Sequence, residues 1–188
     1  MSDFHTLTSQ HLYRGFSSVR IDTIQGPSGR FTREVVEHPD AVAIVALDAD
    51  HRVALVRQHR QPVGHDLLEL PAGTLDIVGE DPVDAARREL AEEVGLATDT
   101  LLPLGRMWNS AGWSDELTML YLAPATRPAP RPDGFVLEDE EAVMSVEWVP
   151  LNDLVQAALE GAIEDAKTVV GVLRARAALD SSVGDVGH

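Results

Sequence analysis

Cysteine is absent from the 188 residues, which removes disulfides, thiolate zinc sites and cysteine nucleophiles together. Any metal must then be held by oxygen or imidazole. Basic side chains are scarce: 15 Lys and Arg stand against 31 Asp and Glu, for a formal charge of −16. Such a surface repels a phosphate backbone, so nucleic-acid binding is not expected, and most of the acids read as a solvated surface that resists aggregation. No segment approaches the roughly 18 apolar residues of a membrane span. The opening MSDFHTLTSQ has neither the basic cluster nor the apolar run of a secretory signal. A cytoplasmic protein that binds no membrane is expected. The length suits one well-buried domain with a small appendage rather than two ordinary domains.

Residues 17–38 alternate apolar and polar side chains around Gly26-Pro27-Ser28-Gly29, the pattern of a β-hairpin made of SSVRIDTIQ and RFTREVVEH. Residues 1–38 therefore read as a strand-built arm. Past Pro39, AVAIVALDADHRVALVRQHR holds two Val-, Ile- and Leu-rich runs bridged by Asp48 to His51, and their near-continuous apolarity predicts strands covered on both faces. Pro62, Gly64, Pro71, Gly73 and Gly79 make a turning region with LLEL as a short strand inside it. Further strands are predicted at 101–108, 116–123 and 143–149. The proline-rich PATRPAPRPDG lacks the apolar content of an element and reads as a mobile loop. Two helices, LNDLVQAALEG behind Asn152 or Asp153 and EDAKTVVGVLRARAAL, close a domain spanning 39–179, with a disordered tail at 180–188. Strands interleaved with helices predict an α/β fold, a mixed sheet with helices on both faces.

One helix has clear limits. Asp81 can cap it, Pro82 suits its first position and Gly95 suits a left-handed stop, which places it at 82–94. At about 100° per residue, Val83, Leu90 and Val94 share a stripe able to pack on the sheet, while Glu89, Glu92 and Glu93 cluster away from it. Glu89 and Glu93 stand i,i+4, side by side at a separation one divalent cation can span. A hard cation such as Mg²⁺ or Mn²⁺ relieves their repulsion and also neutralises diphosphate oxygens.

From Gly73 the chain reads GTLDIVGEDPVDAARRELAEEVGL, and from Glu80 onward it resembles the Nudix box: Glu80, seven residues, Arg88-Glu89, an aliphatic Leu90, Glu92-Glu93, Gly95 and Leu96. Gly73 and Glu80 enclose one residue more than the family pattern. The resemblance implies a Nudix-type α/β/α sandwich and a metal-dependent pyrophosphohydrolase. It implies that Glu89 and Glu93 are metal ligands, with Glu92 a further ligand or water-held neighbour and the carbonyl of Ala72 completing the inner shell. Glu80 and Arg88 would fix the loop and helix, and Arg88 and Glu92 belong to the implied catalytic set.

The flanking VRQHRQPVGHDLLELPAG, SAGWSDEL, LEDEEAVM and EDAKT resemble the ADP-ribose pyrophosphatase branch, although Ala111 stands where that branch often has proline. The branch implies a homodimer built through the N-terminal arm and cleavage of a small nucleoside diphosphate derivative, ADP-ribose, to AMP and ribose 5-phosphate. Aromatics of the arm, among Tyr13, Phe16 and Phe31, would hold the adenine. Arg57 and Arg60, at a strand end before the loop, are placed to clamp phosphate oxygens or a ribose; function is favoured for Arg60 and sheet-edge solvation for Arg57. Trp113 and Glu116 would contact the ribose or close over the site. A carboxylate near the attacking water is needed as base, and Glu141 resembles the branch's loop glutamate, with Glu140 and Asp139 as neighbours able to take the role. Another nucleotide sugar, ADP-glucose or GDP-mannose, is the alternative substrate, and a catalytically silent ligand sensor is the alternative class. His5, His11, His38, His51, His59 and His65 lack ligand spacing, and none is taken as a site.

Overall fold

In the computed structural model, residues 3–132, 134 and 143–184 are described; Asp139, Glu140 and Glu141 lie outside them. The chain divides into two compact units, one of Met1–Asp40 with Trp108–Leu117, the other of Ala41–Met107 with Thr118–His188.

The first unit is a three-stranded antiparallel sheet, β1 (His5–Arg14), β2 (Ser18–Gly26) and β3 (Gly29–Glu37), with β2 in the centre. The β2–β3 register pairs Gly26 with Gly29, and Gly29 takes φ +121°, a conformation that a side chain would resist. β1 is an addition to the hairpin read from sequence. It is polar and exposed along most of its length, and its partner strand defines it more than its own pattern does. The segment Trp108–Leu117 joins this unit through Val36, whose amide donates to the Trp113 carbonyl at 2.9 Å.

In the second unit, β4 (Ala41–Ala46) runs parallel to β10 (Leu117–Ala123) in a sheet ordered β7 (Ala72–Thr74), β4, β10, β9 (Leu102–Trp108). β5 (Arg52–Arg60) lies between β12 (Ser145–Pro150) and β6 (His65–Glu69) in a second, antiparallel group. Every residue of β4 is buried, because strand periodicity sends alternate side chains into two cores. Val42, Ile44 and Ala46 pack with Ala85, Ala86 and Leu90 of α1 (Pro82–Val94). Ala43 and Val45 pack with Leu151 and Leu154 of α2 (Leu151–Leu159) and Val172 and Ala175 of α3 (Ala166–Gly184). The result is the expected α/β/α layering around a mixed sheet. No helix among the described residues is long and apolar enough to cross a membrane.

Three expectations change. The proline-rich stretch is tied down as far as it is described: β11 (Arg127–Pro128) pairs with β8 (Leu96–Ala97), the Ala129 amide donates to the Gly95 carbonyl at 2.9 Å, and Arg131 donates to the carbonyls of Glu92 and Glu93 at 2.8 and 3.1 Å. Backbone pairing and a cation at the C-terminus of α1 anchor it, and neither needs apolar side chains. α2 starts without a side-chain cap from Asn152 or Asp153; the Leu151 amide donates instead to the His51 carbonyl at 3.0 Å. α3 continues to Gly184, into the stretch read as a disordered tail, with Arg176 paired to Asp180 one turn on.

α3 crosses the sheet closely at Gly171, where a Cβ would lie 2.6 Å from Leu70 Cδ1 and 3.3 Å from Val45 Cγ2. Those atoms are core, with few ways to give. Gly171→Ala is expected to destabilise by about 1–3 kcal/mol, which for a domain of this size lowers Tm by about 2–4 °C per kcal/mol. A melting curve measures it, and an unchanged Tm contradicts the close contact.

Candidate active site

α1 is fixed at both ends by local chemistry. Asp81 caps the start by accepting from the Val83 amide at 2.8 Å, Pro82 follows it, and Gly95 takes φ 63°, ψ 40° to end the helix. Between them the acidic face is not simply solvated: Glu89 and Glu93 are only 8% and 7% exposed, buried alongside Ala85, Ala86 and Leu90.

The backbone of β7 covers them. A Cβ on Gly73 would come within 2.0 Å of the Glu89 carboxyl carbon, so the glycine is the cradle in which that carboxylate lies. The Ala72 amide donates to Glu93 Oε2 at 2.9 Å. Glu80 and Arg88 close the other side. Arg88 meets Glu80 through Nε and Nη2, both at 3.0 Å, while its Nη1 reaches Glu89 at 2.6 Å and Glu92 at 3.0 Å. The Glu80 hydrogen bond, assisted by the charges of Glu89 and Glu92 and opposed by burial, raises the Arg88 pKa, so its charge is permanent. The same contact lowers the Glu80 pKa.

The carboxylates gathered here offer hard oxygens of the kind Mg²⁺ and Mn²⁺ take. Among the described residues, no three of Asp, Glu and His are gathered as a finished metal cage. Glu89 is turned to Arg88 and Glu93 to the Ala72 amide. The donors fit a hard cation in type and burial.

Arg60 leaves β5 and grips Glu69 at the end of β6 with two bonds of 2.7 Å. Arg57 instead bonds Glu147 across the β5–β12 pair at 2.6 Å, an exposed sheet-edge contact. In the first unit, Phe31 meets Phe4 edge-on at 6.2 Å and lies under the Arg33 guanidinium. Trp113 is exposed, and Glu116 lies 3.6 Å from the His38 ring. Glu140 and Glu141 lie outside the described residues. Sequence reasoning did not reach Glu69 or Lys167, which bonds it from α3, nor Arg131. The charged residue inside the LLEL strand and the EDAKT segment that holds Lys167 were the available signals.

The profile of the NUDIX domain matches residues 37–170 of the sequence. The chain belongs to the Nudix family. It is 41% identical over 177 residues to an ADP-ribose pyrophosphatase of Mycobacterium tuberculosis (strain ATCC 25618 / H37Rv), covering 93% of this chain and 84% of the relative. It is 33% identical over 169 residues to a methanol dehydrogenase activator of Bacillus methanolicus, 89% of each chain being covered. The solved structure of an ADP compounds hydrolase superposes with a TM-score of 0.81 at 22% identity, over 97% of each chain, and supports the fold. This Nudix protein is thus a pyrophosphohydrolase.

The ion pairs also set the acid limit of stability. Burial acts to raise the Glu69 pKa, but Arg60 and Lys167 outweigh it and the net shift is downward. Burial is the largest single influence on Asp48 and acts upward, but the bonds from Arg52 and the Asp50 amide together outweigh it and lower its pKa, and Asp22 is lowered first by Ser9 and then by Arg20. A carboxylate with a lowered folded-state pKa contributes stability above its unfolded pKa and loses it as pH falls through the folded one. Relief of the −16 charge works the other way but is exhausted near the pI of 4.6. Tm is therefore expected to fall steeply below about pH 4.5, and a Tm that holds or rises there in a pH series contradicts these pairings.

Proposed function

We propose that this Nudix hydrolase cleaves the pyrophosphate bond of ADP-ribose with water, giving AMP and ribose 5-phosphate, in a Mg²⁺- or Mn²⁺-dependent reaction. The observation carrying this reading is the 41% identity to an ADP-ribose pyrophosphatase over 93% of the chain, flanking segments included. Glu89 and Glu93, with Glu92 and the carbonyl of Ala72, would hold the cation. Such a cation would supply positive charge against the pyrophosphate oxygens and would lower the pKa of a water near it. Glu141, with Glu140 beside it, takes the proton of the attacking water as the bridging P–O bond breaks. Arg88 keeps Glu80 and the helix in register, and Arg60 clamps phosphate oxygens with the edge not given to Glu69. Arg57, occupied by Glu147, holds the sheet edge. For the first unit we propose binding roles: Phe31 for adenine, and Trp113 with Glu116 for a ribose. The exposed Leu7, Leu12 and Tyr13 of β1 support a homodimer; a monomer mass by light scattering would remove it.

The test is Mg²⁺-dependent turnover of ADP-ribose against ADP-glucose, GDP-mannose, diadenosine polyphosphates and NADH, with products separated by chromatography. The highest kcat/KM is expected for ADP-ribose. A higher value for GDP-mannose or ADP-glucose would replace the substrate, and tight binding without turnover of any of them would make the protein a sensor.

A further inference from the structure

Glu69 is 1% exposed. A carboxylate so far from water is costly unless it is paired and its lone pairs are filled. Two cations do this. Arg60 approaches through Nε to Oε1 and Nη2 to Oε2, while the Lys167 ammonium donates to Oε2. Lys167 is steadied in turn by Asp165 Oδ1 at 2.9 Å. Asp165 Oδ2 accepts from the amide and the hydroxyl of Thr168, and that hydroxyl oxygen accepts from the Leu70 amide at 2.9 Å. The N-terminus of α3 is thus stitched to Glu69 and Leu70 by side chains 98 residues away in sequence.

The strip that follows is tied to the carboxylate helix, since the Ala72 amide bonds Glu93 and Gly73 lies against Glu89. Glu69 through Gly73 is therefore a short rigid link between Arg60 and the buried pair on α1. Two parallel bonds fix both the plane and the rotation of a guanidinium. Arg60 Nη1 has no hydrogen-bond partner among the described residues and the side chain is 41% exposed, so one edge is clamped and the other is presented. We infer that Glu69 is a positioning residue that aims Arg60 at the substrate phosphates, and that Lys167 on α3 locks Glu69 in that pose. This rests on the reading of Arg60 as a phosphate contact. Lys167 itself touches no substrate in this assignment: its Nζ is taken up by Glu69 and Asp165.

A double-mutant cycle with Arg60→Ala and Glu69→Gln, read as KM and kcat for ADP-ribose in Mg²⁺, tests it. Each single variant is expected to raise KM by roughly 10–100-fold, the range for losing a hydrogen bond to a charged group, with a smaller change in kcat. The double variant should be no worse than Arg60→Ala alone. If Glu69→Gln does not fold, Glu69→Gln with Lys167→Met removes one buried charge of each sign, and it enters the cycle in its place. A KM increase from the Glu69 change that persists undiminished in the Arg60→Ala background overturns the inference, as does a Glu69 change that lowers Tm but leaves KM alone. If Arg60→Ala leaves KM unchanged, the reading of Arg60 falls and takes the inference with it. If Arg60→Ala raises KM and Glu69→Gln does not, only the inference falls.

Discussion

Glu93→Gln is expected to abolish most turnover while leaving the fold in place. The amide keeps the size of the carboxylate, and its oxygen can still accept from the Ala72 amide, so the bond that ties α1 to β7 survives. What is lost is a negative charge that is only 7% exposed on the face proposed to hold a divalent cation. Outer partners of metal ligands cost about 10–100-fold when removed, and a ligand itself should cost more. Mg²⁺-dependent ADP-ribose hydrolysis and a thermal melt on the same preparation measure both halves of the expectation. Turnover kept within about tenfold of the parent, a barrier change near 1.4 kcal/mol, would remove the acidic face of α1 as the metal site.

Gly73→Ala tests the same site from the opposite side. The added methyl would stand 2.0 Å from the Glu89 carboxyl carbon and 2.2 and 2.3 Å from its oxygens, far inside contact distance. The obstructed atoms are the end of a flexible side chain, unlike the packed core atoms that meet a Cβ at Gly171, and Gly73 is not among the glycines of positive φ. Glu89 can swing away, so the stability cost is expected to stay near the lower end of about 1–3 kcal/mol for overpacking. Activity should fall at least as far as for loss of an outer ligand partner, about 10–100-fold, because the carboxylate no longer lies in its cradle. The pair of alanine variants then separates the two glycines: Gly171 shows in Tm and Gly73 in kcat. An active Gly73→Ala enzyme would mean that Glu89 need not occupy this position.

The parts legible in sequence were those whose cause is local. α1 could be bounded to the residue because its cap, its first-turn proline and its left-handed stop all lie within its own stretch. β4 and β5 could be read because burial on both faces leaves a continuous apolar run. β7, β8 and β11 were missed because two- and three-residue strands exist only through partners elsewhere in the chain. The i,i+4 spacing of Glu89 and Glu93 was visible, but their burial was not, since the backbone that covers them comes from β7. Arg131 supplies the basic charge that the last turn of α1 lacks, from 38 residues downstream of Glu93, and no periodicity announces such a contact. The Glu69–Lys167 pair is hidden for the same reason, at longer range.

Arg88 bears on how the enzyme is made. Four glutamates crowded at the end of a loop and along the helix that follows it would repel each other during folding if their only counter-charge came from solution. Because one guanidinium already joins Glu80, Glu89 and Glu92, the chain carries its own counter-ion, and it is expected to fold without divalent metal. A cation taken up at the proposed site would then meet a positive charge already in place at Glu89 and Glu92, and its affinity would be lowered by that neighbour.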